Sequence, residues 1–167
     1  MRRGVLLSGL ILLCLALFSV VRAYSAGENE YEIRQFLDRW TKAFRAKDVP
    51  GLMSMYDSSV VAYDMAPPLA HNGSNACRKE YEEFFAQYLG PLDIEFHRLS
   101  IVAGDSVAYS HGLERITGDK KTGEKSEVWL RFTRCYRRVN GHWLATHEQV
   151  SAPIDPVTGK GMLNLRP

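Results

Sequence analysis

The stretch Ser126–Ala152, SEVWLRFTRCYRRVNGHWLATHEQVSA, decides the architecture. Two runs rich in β-branched and aromatic residues, Ser126–Val139 and Trp143–Ala152, flank Val139-Asn140-Gly141-His142. Asn-Gly between such runs is a strong hairpin signal, because both central turn residues must take positive φ. Alternation then sorts the first strand into two faces. Leu130, Phe132, Arg134 and Tyr136 share one face, while Trp129, Arg131 and Thr133 share the other. A cation among apolar side chains is uncommon unless it is paired or meets a ligand. Arg134 is therefore a candidate for a cross-strand bridge to Glu148 or Glu114, for a ligand contact, or for both.

Working back, Ile94–Val102 and Ser106–Thr117 also read as strands, bounded by Ala103-Gly104-Asp105 and by the Lys-rich loop Gly118–Lys125. The segment before them reads as helix. From Glu28 to Ala46 the residues Ile33, Phe36, Leu37, Trp40 and Phe44 recur at helical spacing. Asp48 is a plausible N-cap for a short second helix with Pro50 in its first turn, carrying Leu52, Met53 and Tyr56 inward. Val60–Met65 is a short β-rich run stopped by Pro67-Pro68. Gly73-Ser74 opens a third helix with a stripe of Cys77, Tyr81, Phe84, Phe85 and Tyr88, ended by Gly90-Pro91. Three helices followed by long sequential strands predict an α+β domain. The helices pack on the concave face of a strongly curved, cone-shaped antiparallel sheet.

The N-terminus carries a targeting signal. Arg2 and Arg3 precede an uncharged apolar run from Gly4 to Val21, and Val21-Arg22-Ala23 fits a signal-peptidase site. The expectation is a signal peptide over residues 1–23 and a single domain over 24–167, exported to the periplasm or secreted. An uncleaved membrane anchor is the alternative. Removing Arg2, Arg3 and Arg22 lowers Lys+Arg from 21 to 18 against 19 Asp+Glu, so a formal charge of +2 becomes −1. No basic patch argues for nucleic acid. Cys77 and Cys135 could pair in an oxidising compartment, but two unpaired, buried thiols are the favoured reading. Asn72-Gly73-Ser74 fits a glycosylation sequon, relevant only in a eukaryote.

The motif order resembles the nuclear transport factor 2-like superfamily over roughly Tyr31 to Ile154. That superfamily includes ketosteroid isomerase, the SnoaL-like polyketide cyclases and the association domain of calcium/calmodulin-dependent protein kinase II. Met55-Tyr56, Asp64 and Gly73 follow the isomerase spacing. Thr133-Arg134, Gly141-His142-Trp143, His147 and Ser151 resemble the end of the kinase association domain. The resemblance implies a pocket and a likeness of Asp64 to the isomerase's general base. A carboxylate ending an apolar strand suits removal of a proton next to a carbonyl. Trp40 stands where the isomerase has its oxyanion-hole tyrosine, and Arg134 where it has a second, acidic donor, so steroid isomerisation itself is not implied. Two pocket arginines of the association domain correspond to His111 and Val150.

The candidate site is accordingly Asp64 as catalytic base, with Trp40, Tyr56, His111, Arg134 and His147 as ligand contacts. For His147 a satisfied, half-buried side chain is the favoured reading. No cofactor is implied, and no metal-ligand spacing is present. The leading expectation is an exported, cofactor-independent isomerase, cyclase or lyase for a small, partly apolar carbonyl or carboxylate compound. One rival is a non-catalytic binding module, a homodimer through a sheet face bearing Trp129, Arg131 and Thr133. The other is a structural domain whose cone is filled by Met65, Phe85, Phe132 and Tyr136.

Overall fold

The computed structural model describes residues 27–167, so the export segment expected over residues 1–23 lies outside the described residues. Helix α1 runs through residues 27–45. Its apolar spacing puts Ile33, Phe36, Leu37, Trp40 and Phe44 on one side, each at most 3% exposed. Burial of each such side chain contributes roughly 1.5–3 kcal/mol. Lys47 turns the chain with a positive φ, and Asp48 accepts a hydrogen bond from Gly51 N at 2.9 Å, capping α2 (Val49–Met53) as expected. Then follow β1 (Tyr56–Tyr63), β2 (His71–Asn72), α3 (Ser74–Phe85), β3 (Tyr88–Ala103), β4 (Val107–Lys120), β5 (Lys125–Val139) and β6 (His142–Ser151). The α+β architecture and the curved sheet are as the sequence predicts. Among the described residues no helix is long and apolar enough to cross a membrane.

The sheet is open and ordered β2-β1-β6-β5-β4-β3. Four of its five pairings are antiparallel, and β1 lies parallel to β6. The sheet is therefore mixed, which strand order along the chain could not show. The Asn140-Gly141 turn has positive φ at both residues, as the hairpin signal requires.

Two boundaries differ from expectation. Strand β1 begins at Tyr56, because Asp57-Ser58-Ser59 continues the strand through an irregular register between Tyr56 and Val61. The third helix ends at Phe85, and Tyr88 through Pro91 joins β3. An edge strand tolerates proline, and a register shift between Leu89 and Asp93 absorbs Gly90-Pro91.

A second bulge, between His97 and Ser100, bends β3 over β4. Gly112 lies under it. A Cβ there would sit 2.8 Å from the His97 carbonyl oxygen and 3.2 Å from the Phe132 ring, so this crossing requires glycine. The helices cover the face that carries Ile94, Ser110, Glu114, Ile116, Leu130, Phe132, Arg134, Tyr136 and Glu148. Phe36 meets Tyr136 edge-on at 5.0 Å, and Trp40 meets Phe96 at 6.0 Å. Phe85, Phe132 and Tyr136 fill the interior as one of the sequence readings anticipated, but Met65 is 44% exposed and does not.

Candidate active site

Arg134 occupies the middle of the inner face and is fully buried. Its Nε and Nη2 donate to Glu148 Oε2 and Oε1 at 3.0 and 2.9 Å, a two-point ion pair between β5 and β6. The register that pairs Arg134 with Glu148 makes this geometry available. The indole of Trp40 stacks beneath the guanidinium at 4.1 Å, a contact that strengthens when desolvated. Burial is the largest influence and opposes the charge on Arg134, but Glu148, Tyr56 and Tyr136 together more than offset it, so the arginine stays protonated.

Phenols extend the network. Tyr56 donates to Glu148 Oε2 at 2.5 Å and accepts from Trp40 Nε1 at 3.0 Å. Its hydroxyl also lies 2.8 Å from that of Tyr81, which is 3.5 Å from Glu148 Oε1. Burial, and then the negative charge of Glu148, raise both phenols well above their ordinary range. On the other side of Arg134, Glu114 is buried and its carboxyl is pushed up to about 8, by burial first and then by Glu148. Glu114 Oε2 and Arg134 Nη1 have no hydrogen-bond partner.

A small pocket opens beside this network, between β1, α3 and β6. Its free volume is about 10 Å³, room for about one water. Three acids line it (Asp64, Glu80 and Glu148), with the phenols of Tyr56 and Tyr81, residue Tyr63 and the apolar Ala62, Cys77 and Val150. Asp64 sits where β1 ends, partly exposed, and accepts from the backbone of Met65. Glu80 projects from α3 within hydrogen-bonding reach of Asp64. Its carboxyl is pushed up to about 9, by burial first, then by Asp64 and Glu148 and by the hydrogen bond with Asp64. The Cys77 thiol is raised to about 12 by burial and by the Glu148 and Glu80 carboxyls, so it is not a nucleophile at neutral pH.

The structure brings together Trp40, Tyr56, Asp64 and Arg134, with Asp64 at the mouth and the other three in or beneath the floor. It excludes two of the expected contacts. His111 is exposed on the outer face, stacked against Tyr109 at 6.2 Å. Ser110, Gly112 and Glu114 take the inward positions of β4, so parity turns His111 away. His147 also points outward. Its Nδ1 contacts the Val61 carbonyl at 2.8 Å and its ring meets Tyr63 edge-on at 5.0 Å, so it is a satisfied, half-buried side chain. Cys77 and Cys135 are free thiols. Cys77 lines the pocket, whereas Cys135 follows the inward Arg134 and faces out, so the sheet separates them. Arg134 is the bridge anticipated to Glu148. Among the described residues no group of three or more His, Cys, Asp and Glu could hold a metal ion.

Sequence reasoning missed Glu80. The signal was present, because Glu80 follows Cys77 by three residues and precedes Phe84 by four, which places an acid inside the apolar stripe of α3.

Residues 33–155 match the family model of the SnoaL-like domain. A crystal structure of an NTF2-like protein of unknown function from Pseudomonas putida KT2440 is 34% identical. The match covers 85% of this chain and 99% of that one, with a TM-score of 0.77. The fold is shared with a ketosteroid isomerase-like protein from Erwinia carotovora atroseptica SCRI1043, at 18% identity over 74% of this chain and 95% of that one, TM-score 0.65. It is also shared with a putative calcium/calmodulin dependent protein kinase II association domain from Xanthomonas campestris, at 20% identity over 73% and 86%, TM-score 0.66. No curated protein matches the chain.

Proposed function

The chain belongs to the SnoaL-like domain family, and from that premise we propose that it is an exported, cofactor-independent catalyst of proton transfer. Its ligand is a small, partly apolar carbonyl compound, and Asp64 is its base. The supporting observation is the meeting of Asp64 with Glu80 over a cavity of about 10 Å³ floored by Tyr56, Tyr81 and Glu148. A space of that size takes one polar atom. A carbonyl oxygen fits it, while the rest of the ligand lies against Tyr63, Val150 and the exposed Met65. A carboxylate group suits it less, because the lining is acidic and Arg134 is already neutralised by Glu148. Export rests on the Arg2-Arg3 and apolar N-terminal pattern.

Exchange of the α-hydrogens of cyclohexanone for deuterium in D2O, followed by proton NMR, tests the base directly. The purified protein accelerates exchange above buffer, and Asp64→Asn lowers that acceleration at least about 100-fold while circular dichroism is unchanged. Equal rates for the two proteins sink the role of Asp64.

A homodimer is a second reading, favoured by the outer sheet face. Val102, Val107 and Tyr109 are 47, 61 and 43% exposed there, beside the half-buried Leu113, Thr133 and Cys135. The occupant is a second copy of this chain, face to face. Sedimentation velocity finds a dimer for the wild-type protein and a monomer for Tyr109→Glu; a wild-type monomer at tens of micromolar rules the interface out.

A further inference from the structure

We propose that Glu80 is the second catalytic residue of this pocket, the proton donor that works against the Asp64 base. This rests on the Asp64 reading above and assigns the other half of the reaction. Developing charge on a carbonyl oxygen needs a donor aimed at it, and the donors on the pocket floor are committed elsewhere. Arg134 gives Nε and Nη2 to Glu148 and its unpartnered Nη1 lies outside the pocket lining, Tyr56 donates to Glu148, and Trp40 gives its N–H to Tyr56. The Tyr81 hydroxyl is engaged with Tyr56 and Glu148, and the ring of Tyr63 is 44% exposed against the outward-facing His147. The Cys77 thiol is a weak donor. Glu80 remains, half-buried on α3, lining the cavity and in contact with Asp64.

Its surroundings keep a proton on it. Asp64 from the end of β1, Glu148 from β6 and Glu83 from its own helix all act on Glu80, and each is acidic. Burial adds to them, and the carboxyl stays protonated to about pH 9. Without ligand, the Glu80 proton bridges to Asp64. A carbonyl oxygen entering the cavity takes over that hydrogen bond and leaves Asp64 as a free carboxylate.

The step balances without a co-reactant. Asp64 takes the α-proton, and the C–H electron pair forms the C=C bond. The carbonyl π pair moves to oxygen, which receives the Glu80 proton, giving the enol, a protonated Asp64 and a Glu80 carboxylate. After the product leaves, the Asp64 proton passes back to Glu80, which lines the same pocket. The ligand implied is an uncharged ketone or aldehyde with an adjacent C–H.

The test uses cyclohexanone exchange in D2O together with carbon-13 NMR of the carboxyl groups. Glu80 is expected to titrate near pH 9, and to move toward the ordinary range in Asp64→Asn. Glu80→Gln, which keeps the shape but loses the acid, lowers exchange about 100-fold, and Glu80→Asp recovers part of it. The wild-type rate falls as pH rises through about 9, and Glu80→Gln lacks that limb. Wild-type exchange with an unchanged rate and pH profile in Glu80→Gln overturns the donor role alone. An ordinary Glu80 titration in the wild-type protein overturns it whatever the variants do. A wild-type protein that exchanges no cyclohexanone overturns both the Asp64 reading and the donor role.

Discussion

Arg134→Leu costs the domain about 3–5 kcal/mol, seen as an earlier urea midpoint with an unchanged slope. The side chain is fully buried and Glu148 is nearly so. Removing the guanidinium leaves a carboxylate with Tyr56 as its close donor, and Trp40 loses the cation over its ring. The penalty is that of an uncompensated buried charge rather than the net worth of the pair. The double variant Arg134→Leu/Glu148→Leu therefore recovers most of the loss, since a buried pair exchanged for apolar groups of similar volume is close to neutral. A double variant as unstable as the single one would contradict this account. The same geometry bears on function, because Glu148 holds Nε and Nη2 of Arg134 and the remaining Nη1 is buried outside the pocket lining.

Much of the fold was legible because its signals are local. The Asn140-Gly141 turn, the helical spacing from Ile33 to Phe44 and the Asp48 cap each depend on residues a few positions apart. The parallel pairing of β1 with β6 is not local. It joins segments about 90 residues apart, such as Val61 and His147, and no short pattern encodes it. The two-residue strand β2 likewise exists only because β1 offers it an edge.

The site was half legible for a related reason. Arg134 was found because its strand neighbours are apolar, and Asp64 because it ends an apolar run. His111 was named because the resemblance places a pocket arginine there, but its side of β4, with Val107, Tyr109 and Leu113, faces out. The inner side carries Ala108, Ser110, Gly112 and Glu114. Small residues stand there because the large ones opposite, Phe132, Tyr136 and Trp40, need the space. Glu80 was hidden by the expectation that acids lie in water, and Glu114 was read only as an alternative partner for Arg134.

Those two acids also set the pH response, and stability is expected to fall as pH rises from about 5 to 9. In the unfolded chain both carboxyls lose their protons near 4.5, but in the folded domain Glu114 holds its proton to about 8 and Glu80 to about 9. Between those limits the folded state binds more protons, so each unit of pH favours unfolding. A full pKa unit corresponds to about 1.4 kcal/mol for each group. At the acid end, Asp57 works the other way. Hydrogen bonds from Ser59 lower its carboxyl, so it adds stability that is lost as pH falls from the ordinary carboxylate value, 3.8, through the depressed one. The melting temperature therefore peaks near pH 5 and declines steadily to pH 9. Glu114→Gln is the decisive variant, because Glu114 lies beneath the pocket network and does not line the pocket. It lies close to the wild-type melting temperature at pH 5 and exceeds it at pH 8 by an amount equivalent to about 3–4 kcal/mol. Parallel curves for the two proteins from pH 5 to 9 would mean that Glu114 ionises in the folded domain as it does in water.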